Sequence, residues 1–294
     1  MLNKILTFHC LIDIFRHMTN NHILKCSDGE LINVTTFGFD NNKSQNCIIL
    51  VHGFKGFKDW GYGPYAARYF AQKGFFVLTF NFSHNGIGDR LTEFDELDKF
   101  AENTFSREIR ELSEIVDAYK NNVFGKHSGK KVGLVGHSRG GAIAVLTAKQ
   151  KEEIGAIAMW ASVATLDRYS IRQKEQWRKK GVFEVLNART KQVMKLNLSL
   201  LDDIEKNSDD ILNIEKAVKK LNRPLLIAHG SNDLAVPKKE ADLLYEWSNK
   251  SITEFFLLEG TGHTFDIQHP FIGSNEKFEK LLDKTSFFFK NNLS

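Results

Sequence analysis

The chain has little to cross-link it and little to draw it to a charged partner. Its 294 residues include three cysteines, Cys10, Cys26 and Cys47, too few and too scattered for a disulfide framework or a zinc site. Cys47 opens the apolar run Cys47-Ile48-Ile49-Leu50-Val51 and reads as a small buried hydrophobe. Lys and Arg number 40 against 36 Asp and Glu, a net charge of +4. No dense basic block stands out, so the charges read as solvated surface and no nucleic-acid partner is expected. No apolar stretch approaches the roughly 18 residues of a membrane-crossing helix, which argues against a membrane span. The sequence also carries no signal for an oligomeric state.

The N-terminus superficially resembles a leader. In MLNKILTFHCLIDIFRHM, Met1 to Met18, Lys4 precedes apolar residues. His9 and Asp13 interrupt the run, and no small-x-small cleavage site follows. Phe8-His9 before Cys10 are too bulky and polar for a lipoprotein site. Residues 1–20 read as an amphipathic extension, and a cytoplasmic protein is expected. The cysteine usage permits a reducing compartment.

What is present is a core-forming chain, 42% hydrophobic, in which short apolar runs alternate with longer helical patterns. A hairpin is expected around Ser27-Asp28-Gly29. Strands are expected over Asn46–Val51, Gly74–Phe80, Lys131–Val135, Ile154–Trp160, Pro224–Ala228 and Thr253–Leu258. Helices are expected over Tyr65–Lys73, Phe105–Tyr119, Gly140–Lys149, Lys238–Ser248 and Asn275–Phe289. This alternation predicts an α/β fold, doubly wound, with a mostly parallel sheet covered on both faces. The core would comprise residues 21–164 and 222–294. Residues 165–221 break the rhythm, with no evident strand and a charged, helical character, and read as a helical cap.

The most informative stretch is VGHSRGG, Val135 to Gly141. Ser138 falls where a strand turns into a helix, at the carboxyl end of the sheet where ligand sites form. So sharp a turn strains the backbone and requires small neighbours. Gly136 and Gly140 supply them in the G-x-S-x-G pattern. A serine hydroxyl needs a base, and the base an orienting acid. His263, in the Gly260-Thr261-Gly262-His263 loop after the last strand, is the first choice of base and His269 the second; His229 reads as structural. Asp233, in the turn after the preceding strand, is the favoured acid, with Asp266 and Glu259 as alternatives. The second glycine-rich loop, His52-Gly53-Phe54-Lys55-Gly56-Phe57, offers the Phe54 amide, which with the Arg139 amide would form an oxyanion hole. Ser83-His84-Asn85-Gly86 would brace that loop. Arg139 and Lys55 bring positive charge, either for a carboxylate-bearing substrate or to pair with acids of the fold.

Taken together, His52-Gly53-Phe54, Gly136-His137-Ser138-Arg139-Gly140-Gly141, Asp233 and Gly262-His263 resemble the α/β-hydrolase superfamily, from about Asn21 to the C-terminus. Within it the chain looks most like the dienelactone-hydrolase-like and cinnamoyl-esterase-like branch, with serine aminopeptidases and acyl thioesterases nearby. The resemblance implies an eight-stranded sheet, a Ser138–Asp233–His263 triad, and a helical insertion after the sixth strand that shapes an acyl pocket. It implies hydrolysis of a small-molecule ester or thioester with no metal or organic cofactor. A serine aminopeptidase or amidase is the alternative, and a non-catalytic ligand-binding protein of the same fold a further one. True dienelactone hydrolases use a cysteine where this chain has Ser138, so dienelactone itself is not expected as substrate. The pocket is expected to draw on Phe57, Trp60 and, from the cap, Trp177.

Overall fold

The two faces of every central strand bury different residues, and that alternation sets the architecture. The structure, a computed structural model, describes residues 19–38, 45–125 and 131–293. Ten strands run in chain order: β1 (Thr19–Lys25), β2 (Leu31–Phe37), β3 (Cys47–Val51), β4 (Phe76–Phe80), β5 (Val132–His137), β6 (Ile154–Trp160), β7 (Val182–Leu186), β8 (Val193–Asn197), β9 (Leu225–Gly230) and β10 (Thr253–Leu258). Eight of them form one sheet in the order β1-β2-β4-β3-β5-β6-β9-β10. β1 and β2 pair antiparallel, as do β2 and β4, and every other pairing in this sheet is parallel. In β3, Cys47, Ile49 and Val51 join one core and Ile48 the other. In β6, Ile157 and Met159 face the first core while Ala156, Ala158 and Trp160 face the second. Strands buried on both faces read as continuous apolar runs, which is why the sequence reveals them so directly.

Helices cover both faces. α1 (Gly63–Gln72) is followed by α2 (Leu97–Ala101), α3 (Phe105–Lys120) and α4 (Arg139–Ala148). α3 starts at Thr104, whose side chain accepts from the Arg107 N–H, satisfying one of the free donors of a first helical turn. α4 is buried along its whole length, as its apolar circumference predicts. The short α2 has no counterpart among the sequence-based expectations. β3 lies between β4 and β5 although β4 precedes β5 in the chain, so the winding reverses beside β3. Crevices open at the carboxyl ends of strands flanking such a reversal.

The expected extension over residues 1–20 is shorter than its assigned range. Thr19 and Asn20 already pair in β1 with Phe37 and Thr36, while residues 1–18 lie outside those described. The insertion after β6 also departs from expectation, because it is not purely helical. It comprises α5 (Ile171–Lys180), the β7–β8 hairpin, α6 (Leu198–Asn207) and α7 (Ile214–Lys220). α5 begins with a capping box between Ser170 and Gln173 and ends at Gly181 in a left-handed conformation, so its limits are written locally. The hairpin pairs Val182 with Asn197 through Leu186 with Val193. Trp177 is not a pocket residue. It is 0% exposed, wedged edge-on against Tyr169 at 5.0 Å and beside Phe183 at 5.3 Å. It is the buried residue of its helix, and it fastens that helix to the hairpin.

Beyond the insertion, α8 (Lys238–Trp247) links β9 to β10, and α9 (Glu276–Asn292) closes the second face. Among the described residues no helix is long and apolar enough to cross a membrane. Truncating Trp177 to Ala should destabilise the fold by about 3–5 kcal/mol, read as a lower urea midpoint. An unchanged midpoint would show that the insertion does not depend on this side chain.

Candidate active site

Ser138 follows β5 and has φ +56° and ψ −123°, a region that L-residues occupy only under compulsion. Its surroundings show what permits it. A Cβ on Gly136 would lie 2.3 Å from the Gly140 carbonyl oxygen, and one on Gly140 would lie 2.3 Å from that of Val51. A Cβ on Gly141 would strike Ser162 Oγ at 2.5 Å. The Ser138 N–H donates to the Trp160 carbonyl at 2.9 Å, and its own carbonyl accepts from Gly141. These contacts clamp the turn between β3 and β6.

The Gly53 loop then closes over the serine. A Cβ on Gly53 would lie 2.9 Å from Ser138 Cβ and 3.4 Å from the Arg139 nitrogen, so the two loops meet at the serine. Arg139 opens α4, and the N–H of a first helical residue has no carbonyl within its helix to bond. The side chains of the two expected oxyanion residues are also joined. The Arg139 guanidinium stacks on the Phe54 ring at 4.8 Å and pairs with buried Glu108 at 2.6 Å. Arg139 thereby proves to be a partner of the fold's own acid. The Gly53 loop is held from below by His52, whose Nδ1–H donates to the Gly53 carbonyl at 3.0 Å and whose Nε2 accepts from the Phe82 N–H at 3.3 Å. Desolvation lowers the pKa of His52 to about 4, keeping it neutral. Asn85 donates to the Gly56 carbonyl at 3.4 Å, which is the bracing expected of the Ser83–Gly86 stretch.

Asp233 and His263 come from the loops after β9 and β10. Gly230 lets these loops touch, since a Cβ there would lie 2.4 Å from the Thr261 carbonyl oxygen. The Asn232 N–H donates to the same carbonyl. Asp233 is 5% exposed. Its Oδ1 accepts from the Ala235 and Val236 amides, both at 2.9 Å, and its Oδ2 accepts from His263 Nδ1 at 2.7 Å. Burial opposes ionisation of Asp233, but the His263 hydrogen bond, the Val236 amide and the two nearby histidines outweigh it and hold its carboxyl below the usual range. With Nδ1–H engaged, the lone pair of His263 sits on Nε2.

The other candidates occupy supporting positions. His229 is fully buried and donates Nε2–H to the Val236 carbonyl at 2.8 Å, a structural role as expected. His269 accepts the Gly61 N–H on Nδ1 at 2.9 Å and stacks on Trp60. Asp266 accepts the Gly262 N–H at 3.0 Å, shaping the His263 loop, and Glu259 is exposed. His137, which sequence reasoning left without a role, donates Nε2–H to the His263 carbonyl at 2.9 Å. Desolvation, helped by the neighbouring His263, lowers its pKa to about 3. The residue before the serine thus carries the His263 loop as an uncharged strut.

Ser138, His263, Phe54, Phe57 and Trp60 line one cavity of about 320 Å³. One part of its wall has no counterpart among the sequence-based expectations: Asn187, Ala188 and Arg189 from the tip of the β7–β8 hairpin. The available signal was the period-two pattern of Val193-Met194-Lys195-Leu196, in which Met194 and Leu196 are buried and Val193 and Lys195 exposed.

Residues 46–190 match the family model for the α/β hydrolase fold, and residues 124–287 match that for the BAAT / acyl-CoA thioester hydrolase C-terminal region. A Mycoplasma genitalium protein provisionally named esterase/lipase 2 is 29% identical over 253 residues, covering 78% of this chain and 86% of that one. Human monoglyceride lipase is 26% identical over 259 residues, covering 76% and 80%. The crystal structure of Est1E from Butyrivibrio proteoclasticus with ferulic acid bound shares the fold, with a TM-score of 0.69 at 18% identity over 92% of this chain and 98% of that one. A Gly140→Ala substitution should cost about 1–3 kcal/mol by overpacking the elbow against β3, seen as a lower melting temperature. Wild-type stability in that variant would remove the close approach from the account of the turn.

Proposed function

We propose, from the premise that the chain belongs to the α/β-hydrolase superfamily and, over residues 124–287, to the BAAT / acyl-CoA thioester hydrolase C-terminal family, that it cleaves a carboxylic ester or thioester through an acyl-enzyme on Ser138. It is a hydrolase of the esterase/lipase type, and the serine mechanism is the finer reading. The observation that carries it is the 2.7 Å contact between His263 Nδ1 and Asp233 Oδ2, beside a cavity that both His263 and the strained Ser138 line.

In this reading Ser138 Oγ attacks the substrate carbonyl while His263 Nε2 takes its proton. The tetrahedral oxyanion is received by the Phe54 and Arg139 amides, each such donor being worth about 3 kcal/mol in the transition state. Asp233 keeps the imidazole in the Nδ1–H tautomer and stabilises the imidazolium that forms. His263 then protonates the leaving alkoxide or thiolate, which departs as alcohol or thiol. A water enters, gives a proton to His263 and attacks the acyl carbon, and the collapse of that second intermediate returns the proton to Ser138. The insertion over residues 165–221 acts as the cap. It reaches the cavity through its hairpin tip rather than through the helix that carries Trp177.

The purified protein is expected to react covalently with a fluorophosphonate and to hydrolyse short p-nitrophenyl esters or acyl thioesters. Ser138→Ala and His263→Ala should each lower kcat by about 10³-fold or more with the melting temperature preserved, and Asp233→Asn by about 10⁴-fold through the wrong tautomer. Near-normal turnover in the serine variant would sink the proposal. A crippling Asp266→Asn beside a harmless Asp233→Asn would move the acid instead.

A further inference from the structure

The cavity beside Ser138 has an uneven charge. Its lining includes three cationic side chains, Lys55, Lys58 and Arg189, and no Asp or Glu. One of the three is already neutralised, since Lys58 Nζ lies 2.5 Å from Asp59 Oδ2. Lys55 and Arg189 have no carboxylate partner among the described residues. Lys55 Nζ donates to the Leu186 carbonyl at 3.2 Å, a contact that leaves its charge uncompensated and ties it to the base of the hairpin tip.

Arg189 is solvent-exposed, yet neighbours engage both its guanidinium and its backbone. Its guanidinium sits 5.7 Å from the Phe57 ring centre and 5.8 Å from that of Phe94, and stacking on aromatic faces leaves the guanidinium edge free for an acceptor. Its backbone N–H donates to Asn187 Oδ1 at 3.2 Å. Asn187 is 4% exposed and closes the turn by receiving the Lys191 N–H on its carbonyl and donating its own N–H to Gln192. Gln192 Nε2 in turn donates to the Phe94 carbonyl at 3.0 Å, fastening the tip to the loop after β4. A cation fixed in a cavity wall without an acid is the arrangement expected of a receptor for a planar or tetrahedral oxyanion group.

We propose that the substrate is a small ester or thioester that itself carries a carboxylate or phosphate, seated against Arg189 with Lys55 beside it. This rests on the serine-hydrolase reading above and gives that site a substrate class. Arg189, Lys55 and Ser138 line the same cavity of about 320 Å³, so one small substrate can meet all three. Arg189 acts here on substrate binding and selection, and Ser138 and His263 on the chemistry.

The test compares matched probes. On the acyl arm, p-nitrophenyl pentanoate is set against mono-p-nitrophenyl glutarate. On the leaving-group arm, the butyryl thioester of N-acetylcysteamine is set against those of 3-mercaptopropionate and 2-mercaptoethyl phosphate, which separate a carboxylate from a phosphate. At least one anionic probe should exceed its neutral partner in kcat/KM by about tenfold, mainly through KM, the value of one charge-assisted hydrogen bond. Arg189→Gln should bring that ratio to near one, and Arg189→Lys should restore part of it. If the glutamine variant folds poorly, ionic strength substitutes for it, because the wild-type preference must shrink as salt rises. Equal rates for charged and neutral probes, or a preference that survives Arg189→Gln, would overturn the inference while leaving the hydrolase reading intact. Failure of every probe together with no fluorophosphonate labelling of Ser138 would overturn both.

Discussion

Everything at this site depends on one expensive backbone conformation. Ser138 occupies positive φ without being a glycine, and the protein maintains it by removing side chains around it. Gly136, Gly140 and Gly141 are each pressed against backbone or a neighbouring side chain closer than any Cβ would allow. The strain is therefore held by the packing of β3, β5 and β6 against one another, and that packing is continuous with both hydrophobic cores. The sheet needs no further specialisation to present a hydroxyl at the carboxyl end of a central strand.

The electrostatic arrangement follows a similar economy. His52 and His137 are kept uncharged by desolvation and serve as N–H donors to loop carbonyls; His229, whose pKa burial also lowers, does the same for Val236. Of these four, His263 donates its ring N–H to a carboxylate, Asp233 Oδ2 at 2.7 Å, an oxygen that lies 3.5 Å from His229 Nε2. Its proposed work as a base thus takes place among neutral neighbours, and the imidazolium formed there would be stabilised chiefly by Asp233. The buried Arg139–Glu108 pair lies behind the two glycine-rich loops, where its charges offset one another.

Much of this was legible in the sequence because the relevant signals are local. Strands buried on both faces are written as apolar runs, and Ile154–Trp160 and Thr253–Leu258 appear in the structure with the expected limits. The elbow carries its own glycines, and the later strands are followed by loops holding Asp233 and His263. The insertion was harder to read. Its hairpin strands show only partial burial, so the alternation is diluted by exposed Lys and Glu and resembles a polar helix. Trp177 is expected in the pocket as an aromatic of a cap that shapes it, whereas its burial against Tyr169 and Phe183 depends on a hairpin that the sequence does not announce. His137 and Arg189 owe their positions to contacts with distant segments, His263 and Phe94 respectively, and no spacing rule connects such pairs.

The order of strands across the sheet also bears on how the protein comes into being. β3 and β5, with the two glycine-rich loops, lie at the sheet's centre, whereas β9 and β10, which carry Asp233 and His263, form its far side and its edge. During synthesis from the N-terminus, the central strands and their elbow leave the ribosome while the last two parallel strands are still unmade. A nascent chain at that stage contains the serine but not yet Asp233 or His263. On the proposed mechanism, the serine therefore has no base until the loop after β10, the last strand of the sheet, has been made.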